Sequence, residues 1–153
     1  MTIKDRLGSV AEVGHWADSI PFHYEYTAGI AGEAFLRGLV DGKILAGYCR
    51  ACEEPSLPAR TYCVRCYGAI SSFVEVGPAA RVRAVTSTRA GEGEQGGVPG
   101  GAFAYLTFEG ARGGMIHRLL GEAPVGSEVV PRFRPRAERV GSILDIQGFE
   151  RRS

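Results

Sequence analysis

The chain has no apolar run near the roughly 20 residues that a membrane-crossing helix needs. Its first residues, MTIKDRLGSVAEVGHW, place charges and glycines where a secretory leader requires an unbroken apolar stretch. The expectation is a cytoplasmic protein. Charge of one sign is also missing, because 18 Lys+Arg against 17 Asp+Glu leave a formal net charge of +1. Proteins held to nucleic acid mainly through phosphate contacts carry a clear basic excess, so the overall balance argues against that class and leaves only a local patch open. Histidine is scarce and scattered, at His15, His23 and His117, and no Cys–His or Ser–His nucleophile stands out. His117, next to Arg118 in a strand-like stretch, reads as a packed or surface histidine rather than a base. Cysteine is scarce too: the four lie between residues 49 and 66, as two C-x-x-C pairs. In a reducing cytosol that clustering reads as metal ligation, not as a disulfide framework.

Glycine is abundant, at 22 of 153 residues, which suits short strands joined by tight turns. Residues 1–26 read as an arm ending in the aromatic-rich piece IPFHYEY. That arm either packs on its own domain or docks on a partner subunit, the docking side chains then being Trp16, Phe22, Tyr24 and Tyr26, followed by Phe35. Over residues 27–43 the texture becomes helical: Ile30, Ala31, Ala34, Phe35, Leu39 and Val40 fall mostly at three- and four-residue steps. Thr27 is placed to cap the start, and Gly42 stands where a helix stops. Residues 44–70 hold the cysteines. From 71 to 153 the pattern is strand and turn, with candidate strands at 72–76, 81–89, 102–109, 114–120, 128–134 and 142–149. Several alternate in polarity with the period of two that marks half-buried strands. Five strands after Pro78 in so short a stretch predict a small closed barrel of OB type, because closure removes exposed edges. The glycine-rich segment 90–101 is then a long flexible loop between the first two barrel strands.

The cysteine spacing is C-x2-C-x10-C-x2-C, through Cys49, Cys52, Cys63 and Cys66. Two residues between cysteines let one tight turn aim both sulfurs at an ion about 2.3 Å away. Ten intervening residues suffice for a hairpin that brings the second turn opposite the first. Four thiolates leave no open coordination position, so the predicted site is structural and not catalytic. Iron suits a tetrahedron of four sulfurs as well. Iron knuckles, however, usually carry glycine directly after the second cysteine of each pair, where Glu53 and Tyr67 stand here, and zinc is the expected metal.

A helix ending in Leu39-x-x-Gly-Lys-Ile-Leu45, then Cys49-x-x-Cys52, then Leu57-Pro-Ala-Arg60, then Cys63-x-x-Cys66, then an OB-like barrel, resembles the DUF35 proteins, which combine a zinc ribbon with an OB fold. The resemblance covers roughly Tyr26 to Phe149. It implies a mainly β fold with an N-terminal helix, a four-cysteine zinc ribbon and a five-stranded OB-type barrel. It also implies a non-catalytic accessory subunit in a hetero-oligomer with a thiolase-superfamily enzyme (a thiolase, an acyltransferase or a retro-aldolase). In such a complex the accessory chain helps form the acyl-CoA site while the nucleophile belongs to the partner, so a coenzyme A thioester is the ligand of the assembly. Arg81, Arg83, Arg89, Arg112 and Arg118 can then face a CoA phosphate, since guanidinium matches phosphate bidentately. The plainer reading of these arginines is a solvated barrel surface. The rival function is a zinc-ribbon and OB protein that binds single-stranded nucleic acid. Phe103, Tyr105 and Phe108 would serve it, but Tyr105 and Phe108 fall on opposite faces and Glu92, Glu94 and Glu109 load the neighbouring loops with negative charge.

Overall fold

A computed structural model of the chain describes residues 23, 26–88 and 101–152. Helix α1 (Gly29–Val40) turns Ala31 and Leu39 inward, with Phe35 and Leu36 partly buried beside them. Its end follows from glycine chemistry. Gly42 takes φ +75°, so its N–H reaches the Leu39 carbonyl at 3.0 Å while Lys43 N–H reaches Gly38 at 2.8 Å, which satisfies two otherwise orphaned carbonyls. The start differs from the sequence expectation. Ala28 occupies the N-cap position with no side-chain cap bond, so Thr27 stands one residue too early for its hydroxyl to cap.

Strands β1 (Ile44–Cys49), β2 (Glu54–Leu57) and β3 (Ser72–Val76) form an antiparallel ribbon sheet in the order β3-β1-β2. The second sheet is built from β4 (Ala80–Thr88), β5 (Gly101–Phe108), β7 (Met115–Arg118), β8 (Glu128–Phe133) and β9 (Ile146–Arg151), in the order β7-β5-β4-β8-β9. Between β5 and β7 a two-residue strand, β6 (Arg112–Gly113), crosses to the ribbon sheet and adds to it in parallel, pairing Ser56 with Arg112 and Leu57 with Gly113. A bulge between Val82 and Ala84 bends β4. The two outer strands of the second sheet meet in one parallel bridge, Leu119 to Phe149, with Leu120 N–H donating to the Phe149 carbonyl at 2.8 Å. The result is an OB-like five-stranded sheet curled until its edges touch at one point, without a continuous closing ladder.

The stretch expected as a strand over 142–149 begins instead as a 3₁₀ turn, Ile143–Asp145, before β9. Asp145 causes the change. Its carboxylate, 1 % exposed, accepts N–H bonds from Val140, Gly141 and Ser142 at 2.8–3.2 Å, drawing this backbone out of the strand ladder.

One apolar core serves the whole described chain. Val82, Leu106, Val129, Ile146 and Phe149 from the barrel pack with Leu39 from α1 and with Ile44, Ala46, Leu57 and Val76 from the ribbon. A separate cluster of Cys49, Cys63 and Ile70, flanked by Cys52 and Phe73, lies at the ribbon tip. It holds too little apolar area to keep that tip ordered unaided.

Candidate metal centre

The site is built from two tight turns. β1 delivers Cys49 at its last residue, and the chain reverses through Cys52 into β2. The second turn is a small hairpin: Ile70 N–H donates to Thr61 at 2.8 Å, Cys63 N–H to Gly68 at 2.8 Å and Tyr67 N–H to Cys63 at 2.9 Å. The four sulfurs lie within 4.8 Å of one another. Cys49 and Cys66 Sγ are 3.5 Å apart, and Cys52 and Cys63 Sγ 3.9 Å. A tetrahedron with bonds of about 2.3 Å has edges of about 3.8 Å, so these sulfurs fit zinc. Four sulfurs fill the four positions and leave none for water or substrate, so a metal held here organises the fold.

Electrostatics point the same way. The Cys63 thiol is held down to about 6, chiefly by the backbone amides of Cys66 and Arg65, the latter 3.4 Å from its sulfur. Cys52 is pushed up to about 12, first by its hydrogen bond with the Cys66 thiol and then by burial. Without a cation the cluster therefore keeps protons that a dication displaces, and metal binding releases them.

The two residues that follow the second cysteine of each pair carry the backbone signature of the knuckle. Glu53 takes φ +52° and Tyr67 φ +59°, the non-glycine residues with positive φ among those described. Sequence reasoning treated the lack of glycine there as a departure from the knuckle pattern, but the backbone adopts the left-handed turn regardless.

The arginines do not gather into one patch. Arg81 and Arg83 line a groove of about 240 Å³ with Thr107, Glu109 and Glu128. Arg81 Nη1 donates to the Gly126 carbonyl at 3.1 Å, and Arg83 Nε to Thr107 Oγ1 at 3.0 Å. Arg112 is ion-paired with Glu54 of the ribbon at 2.8 Å. Arg118 stands opposite Phe103, at the other end of β5 from the Arg81–Thr107 pair. Arg89, Trp16, Phe22 and Tyr24 lie outside the described residues, as does nearly all of the 90–101 segment. Tyr26 is 87 % exposed. Phe35, expected to face a partner, packs instead against the chain's own core, because it shares a helix face with Ala31 and Leu39.

His117 meets Phe149 edge-on at 5.5 Å, and its Nδ1 is buried without a hydrogen-bond partner. Burial holds this imidazole below the ordinary value. Two structurally decisive features escaped the sequence reading. Gly113–Gly114 looked like a plain turn. The S-x-x-D signal of Ser142–Asp145 is a legible capping box, and the structure forms both of its bonds.

Residues 37–70 match the family model described as ChsH2, rubredoxin-like zinc ribbon domain. Among solved structures, the chain is similar to a DUF35-family protein of unknown function from Sulfolobus solfataricus, with 32% identity over 71% of this chain and 81% of that one, at a TM-score of 0.60. It is also similar to the Ltp2-ChsH2(DUF35) aldolase, with 14% identity over 77% of this chain and 91% of that one, at a TM-score of 0.58. At that identity the likeness speaks for the fold alone. No curated protein matches the chain. Among the described residues no helix is long and apolar enough to cross a membrane.

Proposed function

Because the chain belongs to the DUF35 family, we propose that it is a non-catalytic, zinc-containing accessory subunit of a thiolase-superfamily enzyme and helps form that enzyme's acyl-CoA site. The observation that carries this reading is the fold shared with the DUF35 chain of an aldolase complex. Two features of the chain agree with it. The four sulfurs close the metal site against substrate. The groove beside β4 presents two guanidiniums, Arg81 and Arg83, each using one N–H on a neutral acceptor, which leaves further donors for a phosphate. The zinc is structural, and the coenzyme A thioester is the ligand of the assembled enzyme.

Co-expression with thiolase-superfamily proteins of the same genome tests the proposal. A stable complex should co-purify, the complex should turn over a CoA thioester, and the isolated chain should not. Thioester cleavage by the isolated chain, or no complex with any such protein, rejects it. Removing residues 1–26 asks whether the arm is part of the interface: the truncated chain should stay folded and zinc-bound but fail to co-purify. The nucleic-acid reading retains one observation in its favour, Tyr105 and Phe103 on the outer barrel face near Arg118. Phe108, the third aromatic, is buried in the core. A salt-dependent shift of labelled single-stranded DNA would restore that reading.

A further inference from the structure

The 140–144 loop is held rigid by two side-chain networks, yet it displays aliphatic groups to solvent. Asp145 collects the N–H groups of Val140, Gly141 and Ser142, and Ser142 Oγ accepts from Leu144 N–H at 3.2 Å. On the other flank Arg139 staples the loop to the end of α1. Its Nη1 donates to the Val40 carbonyl at 3.3 Å, its Nε donates to the Arg134 carbonyl at 2.7 Å, and its guanidinium lies 5.1 Å from the Phe133 ring centre. Gly141, at φ +80°, seats against the Leu36 carbonyl and Val40, where an added Cβ would meet both at 3.4–3.5 Å. On this frame stand Val140, 81 % exposed, Leu144, 65 % exposed, and Ile143. A loop that is ordered before binding loses little conformational freedom when it docks, so the device suits insertion into a cleft.

We infer that Val140, Ile143 and Leu144 form a preorganised prong that enters an apolar cleft with a carboxylate rim on a protein partner, namely the thiolase-superfamily subunit of the function proposed above, on which this inference rests. The charge around the prong selects that occupant. Arg134 and Arg136 are exposed at its base, and the single ion pair there, Arg136 with Asp41, is open and long at 3.5 Å. A second copy docked prong to prong would set these arginines against their own equivalents, which disfavours a self-complementary dimer. Three aliphatic tips also offer less apolar surface than one fatty-acyl chain, and a single such chain holds a protein to a bilayer only marginally.

The test uses the full chain with exposed-site variants, Leu144→Asp and Val140→Ser. Both should keep the wild-type melting temperature and zinc content. Titrated against the thiolase-superfamily subunit that co-purifies with wild type, Leu144→Asp should bind about tenfold or more weakly, and Val140→Ser should weaken binding in the same direction. Equal affinity of wild type and both variants overturns the inference while leaving the proposed function standing. Failure of the wild-type chain to bind any thiolase-superfamily protein brings down both. Loss of fold in Leu144→Asp would make the loop part of the core. Leu144-dependent self-association, or Leu144-dependent sedimentation with phosphatidylglycerol vesicles, would assign the prong to another occupant. Each of those three results also overturns the inference.

Discussion

Replacing Tyr67 by glycine should make the metal-loaded protein more stable. Tyr67 sits at φ +59°, where an L residue crowds its Cβ against its own backbone at about 1–2 kcal/mol. Glycine escapes that strain but gives up more chain entropy on folding, about 0.5–1 kcal/mol. The ring itself is 81 % exposed, so truncation removes little buried area. The balance is a gain of about 0.5–1 kcal/mol, which corresponds to about 1–4 °C in melting temperature for a chain of this size. Since the left-handed turn belongs to the folded knuckle, the same gain should appear as about two- to fivefold tighter zinc binding. Urea denaturation and chelator competition measure the two quantities. Tyr67→Ala is the control, because it removes the ring but keeps the Cβ and hence the strain. If Tyr67→Gly is no more stable than Tyr67→Ala, the strain argument is wrong. Glu53→Gly, at φ +52° in the other knuckle, should behave alike.

Metal analysis of protein purified without added metal should find about one zinc per chain, and Cys63→Ser should lose it and melt earlier; a metal-free protein indifferent to chelation rejects this. Gly113→Ala should cost about 2–5 kcal/mol by urea unfolding, combining about 1–2 for positive φ with about 1–3 for a Cβ driven into the Leu57 carbonyl; a cost near zero would mean that the ribbon–barrel contact is loose. His117 binds its proton later in the folded chain than in the unfolded one, because burial lowers its value. Stability should therefore rise with pH between the folded and unfolded imidazole values and level off above the latter, and His117→Phe should flatten that limb of a melting-temperature profile. Burial pushes Asp145 up, but the amides of Ser142, Val140 and Gly141 outweigh it and hold the carboxyl below its ordinary value. Its contribution is present above the unfolded carboxyl value and lost as pH falls through the folded one, so Asp145→Asn should flatten the acid limb instead. Variants whose profiles parallel wild type would refute these assignments.

What the sequence made legible was whatever depends on short spacing. Two C-x-x-C pairs name their own ligands, the three- and four-residue steps over 30–40 mark a helix, and alternation along 102–109 marks a half-buried strand. Features that depend on distant partners stayed hidden. Glu54 and Arg112 pair across 58 residues, so Arg112 looked like a free barrel arginine. Glu53 and Tyr67 hid their left-handed backbone because neither residue type advertises positive φ; hairpin and metal geometry impose it over local preference. The helix start was misplaced by the same logic, as Gly29 at φ +64° sets the entry and no side chain supplies a cap.

The joint between ribbon and barrel explains why a metal at the ribbon tip matters beyond it. β2 follows the metal ligand Cys52 and ends at Leu57, whose side chain lies in the barrel core and whose carbonyl accepts from Gly114 N–H at 3.3 Å. Glycine is required on the barrel side, because a Cβ on Gly113 would enter the Leu57 carbonyl and one on Gly114 would enter that of Leu106. The Glu54–Arg112 bond at 2.9 Å flanks the same crossing. β1, which ends in Cys49, likewise roots Ile44 and Ala46 in the shared core. The metal therefore clamps the far ends of two strands whose near ends form part of the barrel's interior. Losing it frees β1 and β2 to shift, and a shift at Leu57 is transmitted through Gly114 to β5. That strand carries Thr107, which orients Arg83 in the groove. A structural ion can in this way govern a surface that it never touches.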